Sequence, residues 1–273
     1  MDDRPIGMLD SGVGGLSILR EVRRLLPAQD VIFFADQAHV PYGPRSLEEV
    51  RAFSQAIAGF LIDQGAKLIV VACNTASAAA LLQLRQTFPA VPFVGMEPAV
   101  KPAAEATRSR AVGVLATPAT FQGKLFASVV ERFAGGVRVL QQTLPGLVER
   151  IEAGDLDGPA TRRIVEHAVR ALIDQGADTL VLACTHYPFA IPLISQAAGP
   201  DVRVIDPSPA IARQAARMLA ARGQQASAER PGAVVLVTSG DPRRLEHMAA
   251  SLIGEQAPGF QAVWDRDRVR LTG

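Results

Sequence analysis

A duplicated segment constrains this chain more than any other feature. Residues 61–73 read LIDQGAKLIVVAC and residues 172–184 read LIDQGADTLVLAC. Nine of the thirteen positions agree without a gap, and each copy ends on one of the only two cysteines, Cys73 and Cys184. The correspondence reaches backward, where Ile6-Gly7-Met8-Leu9-Asp10-Ser11 parallels Val112-Gly113-Val114-Leu115-Ala116-Thr117. It also reaches forward, where Glu97-Pro98 parallels Asp206-Pro207. Offsets of 106, 111 and 109 residues between the three pairs leave room only for short insertions. A helix end capped by Gly65 or Gly176 accounts for the shared Gln-Gly-Ala, but not for two strands that both close on Ala-Cys. Two units of similar fold are the simplest reading.

The pattern between the repeats fits α/β units. Apolar, β-branched runs at Ile6–Leu9, Val31–Phe34, Leu68–Ala72, Phe93–Val94, Ala111–Leu115, Val137–Leu140, Thr179–Ala183 and Val202–Ile205 read as strands. Amphipathic stretches at Leu16–Leu26, Ser46–Gln64, Ala76–Thr87, Phe121–Phe133, Pro159–Gln175 and Pro209–Arg222 read as helices. Runs apolar at nearly every position, alternating with helices, predict mostly parallel sheets covered on both faces. A further strand at Ala233–Thr238, a helix from Pro242 and one last strand within Gln261–Arg270 complete the prediction. Each acidic-Pro pair is a natural place for the chain to change units, because the residue before proline is biased away from helix. The expected domains are residues 1–97 plus 208–273, carrying Cys73, and residues 98–207, carrying Cys184.

Each cysteine closes a buried strand and opens a loop, which is where open α/β sheets bind ligands. Asn74-Thr75 follows the first and Thr185-His186 the second. Such residues can cap a following helix, whose N-terminal amides suit a carboxylate. A single free cysteine is most often a small buried hydrophobe. Two at matching positions of a repeat, placed on opposite walls of one cleft by a pseudo-twofold axis, suit an opposed acid and base. Inverting a stereocentre needs one group to remove the proton from one face and another to return a proton to the opposite face. A thiol, titrating at about 8.5 when unperturbed, can serve as either. The carbanion character that develops requires donors aimed at a substrate carboxylate.

Other classes fit poorly. A formal net charge of +1 gives no basic face, so neither nucleic acid nor an acidic membrane surface is expected as an obligatory partner. No apolar run reaches the roughly 18 residues of a membrane span. The acidic start, Met1-Asp2-Asp3-Arg4-Pro5, is unlike a signal peptide, and a cytoplasmic protein with reduced thiols is expected. The histidines His39, His167, His186 and His247 do not group with the cysteines at ligand spacing, so no metal is expected. Gly12-Val13-Gly14-Gly15 has Ser17 where a dinucleotide fingerprint needs its third glycine. These glycines are read instead as a tight turn with close backbone approach to a small anion.

Six segments, IGMLDSGVGGLSIL (6–19), ADQAHVPYGPRS (35–46), VVACNTASA (70–78), GMEPAVKPA (95–103), GVLATPATF (113–121) and LACTHYP (182–188), together resemble glutamate racemase, within the aspartate/glutamate racemase superfamily. They span about the first 215 residues; the C-terminal fifty or so contribute little. The resemblance implies that Cys73 and Cys184 are the catalytic thiols. It implies that Asp10 assists the first, and that His186, with a glutamate in the preceding helix, assists the second. That glutamate is placed at Glu152, with Glu149 as the alternative register. Substrate contacts are implied at Asp10, Ser11, Tyr42, Gly43, Asn74, Thr75, Thr185 and His186, and more weakly at Thr117 and Thr120. The family needs no pyridoxal phosphate or other cofactor and no metal, commonly forms homodimers, and supplies D-glutamate for peptidoglycan.

The sequence departs from the family at Gln37, where a small hydroxyl residue is more usual. It also lacks a Cys-Pro often found in the stretch QQTLPGLVERIEAG. Taken alone, Asp10 could be a helix cap, His186 a loop residue bonded to a carbonyl, and Tyr42-Gly43 an ordinary turn. Racemisation of another acidic amino acid, aspartate above all, is the nearest alternative activity. A two-domain binding module with structural cysteines is the alternative of a different class.

Overall fold

The computed structural model describes residues 2–272. Met1 and Gly273, the outer limits of the first predicted domain, lie outside the described residues. The chain begins with β1 (Ile6–Asp10), α1 (Leu16–Leu25), β2 (Val31–Ala35), α2 (Leu47–Asp63), β3 (Leu68–Val71), α3 (Asn74–Thr87) and β4 (Phe93–Gly95). It continues with α4 (Val100–Ala106), β5 (Ala111–Ala116), α5 (Pro118–Gln122), α6 (Lys124–Phe133), β6 (Arg138–Gln142), α7 (Leu147–Glu152), α8 (Pro159–Ile173) and β7 (Thr179–Ala183). After a 3-10 turn at Tyr187–Ala190 come α9 (Ile191–Ala198), β8 (Arg203–Ile205), α10 (Ser208–Ala221), β9 (Val234–Thr238), α11 (Pro242–Ile253), β10 (Gly259–Asp265) and β11 (Arg268–Leu271).

Two sheets result, ordered β11-β10-β9-β2-β1-β3-β4 and β6-β5-β7-β8. All their strand pairs are parallel except β10–β11. The duplication is visible in the pairing. The order β2-β1-β3-β4 in the first sheet matches β6-β5-β7-β8 in the second. Ile6 opposes Leu68 just as its counterpart Val112 opposes Thr179. Gly65 and Gly176 take left-handed conformations, φ +84° and +89°, at the same helix-to-strand turn. Past Glu97-Pro98 the chain enters α4, which packs on β5, β7 and α6; past Asp206-Pro207 it enters α10, which packs on α1, β3 and β4.

Among the described residues three apolar clusters form the core. One lies between the seven-stranded sheet and α2–α3, around Leu9, Ile57, Leu61 and Val71. Another lies between the four-stranded sheet and α4–α6, around Val114, Phe126 and Val181. The third is shared: Val13, Leu16 and Leu19 of the first unit join Leu147, Ile151, Leu182 and Tyr187 of the second. The units therefore meet through a continuous core beside the cleft.

Several expectations are corrected. The helix expected over Phe121–Phe133 is two helices broken at Gly123, where a Cβ would lie 2.6 Å from that of Ala78. The single strand expected within Gln261–Arg270 is an antiparallel hairpin, turned at Arg266 with φ 57°. No α-helix begins directly after Cys184; the 3-10 turn intervenes. Among the described residues no helix is long and apolar enough to cross a membrane.

Candidate active site

Cys184 sits one residue past β7 and Cys73 two residues past β3, where each sheet ends and the chain must turn. Cys73 is the N-cap of α3, and its Sγ accepts the Ala76 N–H at 3.5 Å. Cys184 follows β7 and is equally buried. The two face a common cleft, with Ser11, Tyr42, Gly43, Asn74, Thr75, Thr117, Thr185 and His186 on its walls. The cleft encloses about 10 Å³, about enough for one water. An adjoining recess of about 190 Å³ shares Pro41, Gly43, Thr117 and Val148 with it.

The groups behind the thiols differ. Asp10, at the end of β1, is completely buried. Its Oδ2 accepts the Gly15 N–H at 2.6 Å, so the carboxylate does tie down the loop into α1, as a cap would. Among the described residues its Oδ1 has no hydrogen-bond partner, and the Cys73 thiol lies beside the carboxyl group. Burial raises the Asp10 pKa to about 6. Burial, and then the Asp10 charge, push the Cys73 thiol well above its ordinary value. The pair therefore holds its proton as a unit.

Behind Cys184, His186 Nδ1 stands 3.9 Å from the sulfur and its Nε2 is 2.7 Å from Glu152 Oε1. Burial opposes the imidazolium, but the bonds to Cys184 and Glu152 outweigh it and raise the His186 pKa well above the ordinary value. Burial likewise opposes the Glu152 carboxylate, and the bonds from His186 and Val13 outweigh it, so its pKa is lowered. A carboxylate–imidazolium pair results, with positive charge beside the second sulfur. Glu149 instead lines the outer recess.

The glycine loop is explained by this pair. Gly12, Gly14 and Gly15 are not in left-handed conformations. A Cβ on Gly12 would collide with the Glu152 carboxylate, and one on Gly14 would lie 2.5 Å from His186 Nδ1. The anion that the backbone approaches is thus the protein's own: Val13 N–H donates to Glu152 Oε1 at 2.7 Å.

The remaining predicted residues divide. Among the described residues Asn74 is buried with both amide atoms unpartnered, an arrangement rare in folded proteins. Thr75 and Thr117 approach across the cleft, Oγ1 to Oγ1 at 2.9 Å, and Thr117 also meets Thr120 at 2.9 Å. Neither Asp10, Thr120 nor Glu152 reaches the cleft wall. The Tyr42 hydroxyl donates to Asp36 Oδ2 at 2.6 Å, and burial followed by the Asp36 charge raises its pKa.

Sequence reasoning missed Asp36 and gave Gln37 no role. Asp36 also meets His39 Nδ1 at 2.9 Å, Ser239 Oγ at 2.7 Å and Trp264 Nε1 at 3.0 Å, fixing the loop that carries Tyr42. The one available signal was its place directly after β2, level with the end of β1. Among the described residues no group of three His, Cys, Asp or Glu side chains could hold a metal ion.

Residues 6–215 match the Asp/Glu/Hydantoin racemase family. The chain belongs to this family. Among relatives in the Asp/Glu/Hydantoin racemase family, the chain is 53% identical to a glutamate racemase of Roseiflexus sp. (strain RS-1) over 246 residues, 90% of each chain. It is 50% identical to a glutamate racemase of Pseudomonas paraeruginosa, covering 93% of this chain and 96% of that one. Among solved structures, a glutamate racemase isoform of Bacillus anthracis superposes with TM-score 0.88 at 31% identity, over 98% of this chain and 100% of that chain. The Escherichia coli glutamate racemase, in complex with L-glutamate and the activator UDP-MurNAc-ala, gives 0.82 at 29% identity, over 99% and 100%.

Proposed function

We propose that the cleft interconverts L- and D-glutamate, with Cys73 and Cys184 as opposed acid and base. The substrate follows from near full-length similarity to glutamate racemases. The observation that carries the two-thiol reading is that both sulfurs open on one small enclosed cleft, each with its own proton-handling partner behind it. One thiolate takes the α-proton of the bound amino acid. The C–H electron pair passes into the substrate carboxylate, and the other thiol gives its proton to the opposite face. The roles exchange with the hand of the substrate. Asp10 takes and returns the Cys73 proton, and the His186 imidazolium, oriented by Glu152, stabilises negative charge on Cys184. Asn74 supplies donor and acceptor to the substrate's carboxylate and ammonium, with Ser11, Gly43, Thr75, Thr117 and Thr185 around it; Tyr42 and Thr120 act as supports. Donors fixed in a dry cleft stabilise the developing charge, and a millionfold acceleration requires about 8 kcal/mol.

The scheme uses no cofactor or metal. On this reading residues 1–97 with 208–273 form one domain and 98–207 the other. The protein acts in the cytoplasm as a homodimer, and its D-glutamate supplies peptidoglycan and so cell-wall biogenesis and cell shape. The test is circular dichroism of the glutamate enantiomers together with α-proton exchange in deuterated water, on chelator-treated protein. Cys73→Ser and Cys184→Ser should each abolish racemisation while glutamate still binds. Full racemase activity in either variant would reject the scheme, and turnover of aspartate but not glutamate would reassign the substrate.

A further inference from the structure

Behind Cys184 a chain of hydrogen bonds leaves the second unit and ends in the C-terminal part of the first. Its direction is fixed at the far end. The Gly240 N–H can only donate, and it bonds Thr238 Oγ1 at 2.9 Å. The Thr238 hydroxyl hydrogen is then directed to Gln37 Oε1, 2.9 Å away. With its carbonyl engaged, the Gln37 amide presents Nε2 to Glu152 Oε2 at 3.4 Å. The other carboxylate oxygen takes Val13 N–H and His186 Nε2, both at 2.7 Å. Arg244 Nη2, on α11, holds the backbone carbonyl of the same glutamate at 2.7 Å. Thr238, Gly240 and Arg244 all lie beyond the residues 6–215 that match the family.

The geometry points to Gln37 as a positioning residue for the acid–base group on the Cys184 side. It secures the outer oxygen of Glu152, and through that carboxylate the setting at which His186 Nδ1 meets the sulfur. A serine side chain at this position would be two bonds shorter than glutamine and would not span from Thr238 to Glu152. The tether therefore belongs to the combination of Gln37 with the C-terminal segment. This role rests on the reading of Cys184 as an acid–base thiol.

Gln37→Ser shortens the tether, and Gln37→Met keeps its length and bulk without the amide. An equilibrium constant of one obliges kcat/KM to fall equally in both directions, and the expected fall is about three- to tenfold for both variants. The α-deuterium isotope effect separates the two sides. Slowing transfer at Cys184 makes deprotonation more rate-limiting in the direction where Cys184 is the base, and less so in the other. The isotope effect on kcat/KM should rise in one direction and fall in the opposite one. Thr238→Val, which leaves Gln37 in place but removes the hydroxyl that orients it, should give the same opposed change if either Gln37 variant misfolds. Wild-type kcat/KM, isotope effects unchanged in both directions, or a defect in the Ser but not the Met variant each overturn the assignment. Cys184→Ser run alongside separates the two readings. Its inactivity leaves any failure with Gln37 alone, whereas retained activity removes the reading beneath it.

Discussion

A methyl group at position 12 would occupy the space of the Glu152 carboxylate. The backbone there accepts alanine, since Gly12 is not left-handed, so Gly12→Ala should fold while displacing Glu152 from Val13. A misplacement of that kind costs up to about a hundredfold in kcat/KM. Steady-state kinetics returning the wild-type value from folded Gly12→Ala would remove Glu152 from the machinery. Asp10 carries the opposite tension. Its pKa rises from 3.8 to about 6 on burial. Between those values the folded protein binds more protons than the unfolded chain, so stability falls as pH rises through the window and stays reduced above it. The cost above pH 6 is about 3 kcal/mol. Asp10→Asn should therefore melt higher than the parent at pH 8, with the gap shrinking as pH falls from 6 towards 4, while turnover drops. A parent that melts above the variant at pH 8 would contradict this. The thiols, Asp10 and Asn74 were legible in the sequence because each stands at or next to the end of an apolar run. The contacts of Gln37 and Trp264 were not, because their partners lie 115 and 228 residues away.

Elements followed the sequence wherever local chemistry and packing agreed. Helix α2 begins at a reciprocal capping box, Ser46 with Glu49, which satisfies two otherwise unpaired donors. Ser46→Ala should lower stability by about 1 kcal/mol, a fall in Tm of about 2–4 °C, and leave kcat/KM unchanged; a calorimetric scan with parallel kinetics tests both. The short helices α4 and α9 were not predicted, since seven and eight residues hold too little periodicity to register. The break falls at Gly123, where Ala78 on α3 leaves no room for a Cβ and where glycine weakens a helix locally. The terminal hairpin turns through Asp265-Arg266-Asp267 without the Asn-Gly or Asp-Gly pair that marks such turns. Arg266 takes the left-handed conformation usually left to glycine or asparagine. Strands at the centre of each sheet were readable for the converse reason: burial on both faces leaves almost no polar positions.

At the scale of the molecule, the shared apolar cluster decides how the two units behave together. Leu147 enters it from the second unit, and Trp264, the only tryptophan, reports on the first. Leu147→Ala should cost about 2–5 kcal/mol. It should shift the tryptophan fluorescence transition and the far-ultraviolet circular dichroism transition by the same amount. Two separated transitions would show that the units unfold independently. The order of the larger sheet has a further consequence, for synthesis on the ribosome. Strand β2 is flanked by β1 on one side and by β9 on the other, and β9 lies some two hundred residues later in the chain. The segment that forms the smaller sheet emerges whole and can close on its own pairings. The larger sheet must meanwhile carry an unpaired apolar strand edge until β9 has been translated. An exposed edge of that kind invites pairing with other nascent chains, so β9 acts as the seal on a sheet begun by β1 and β2.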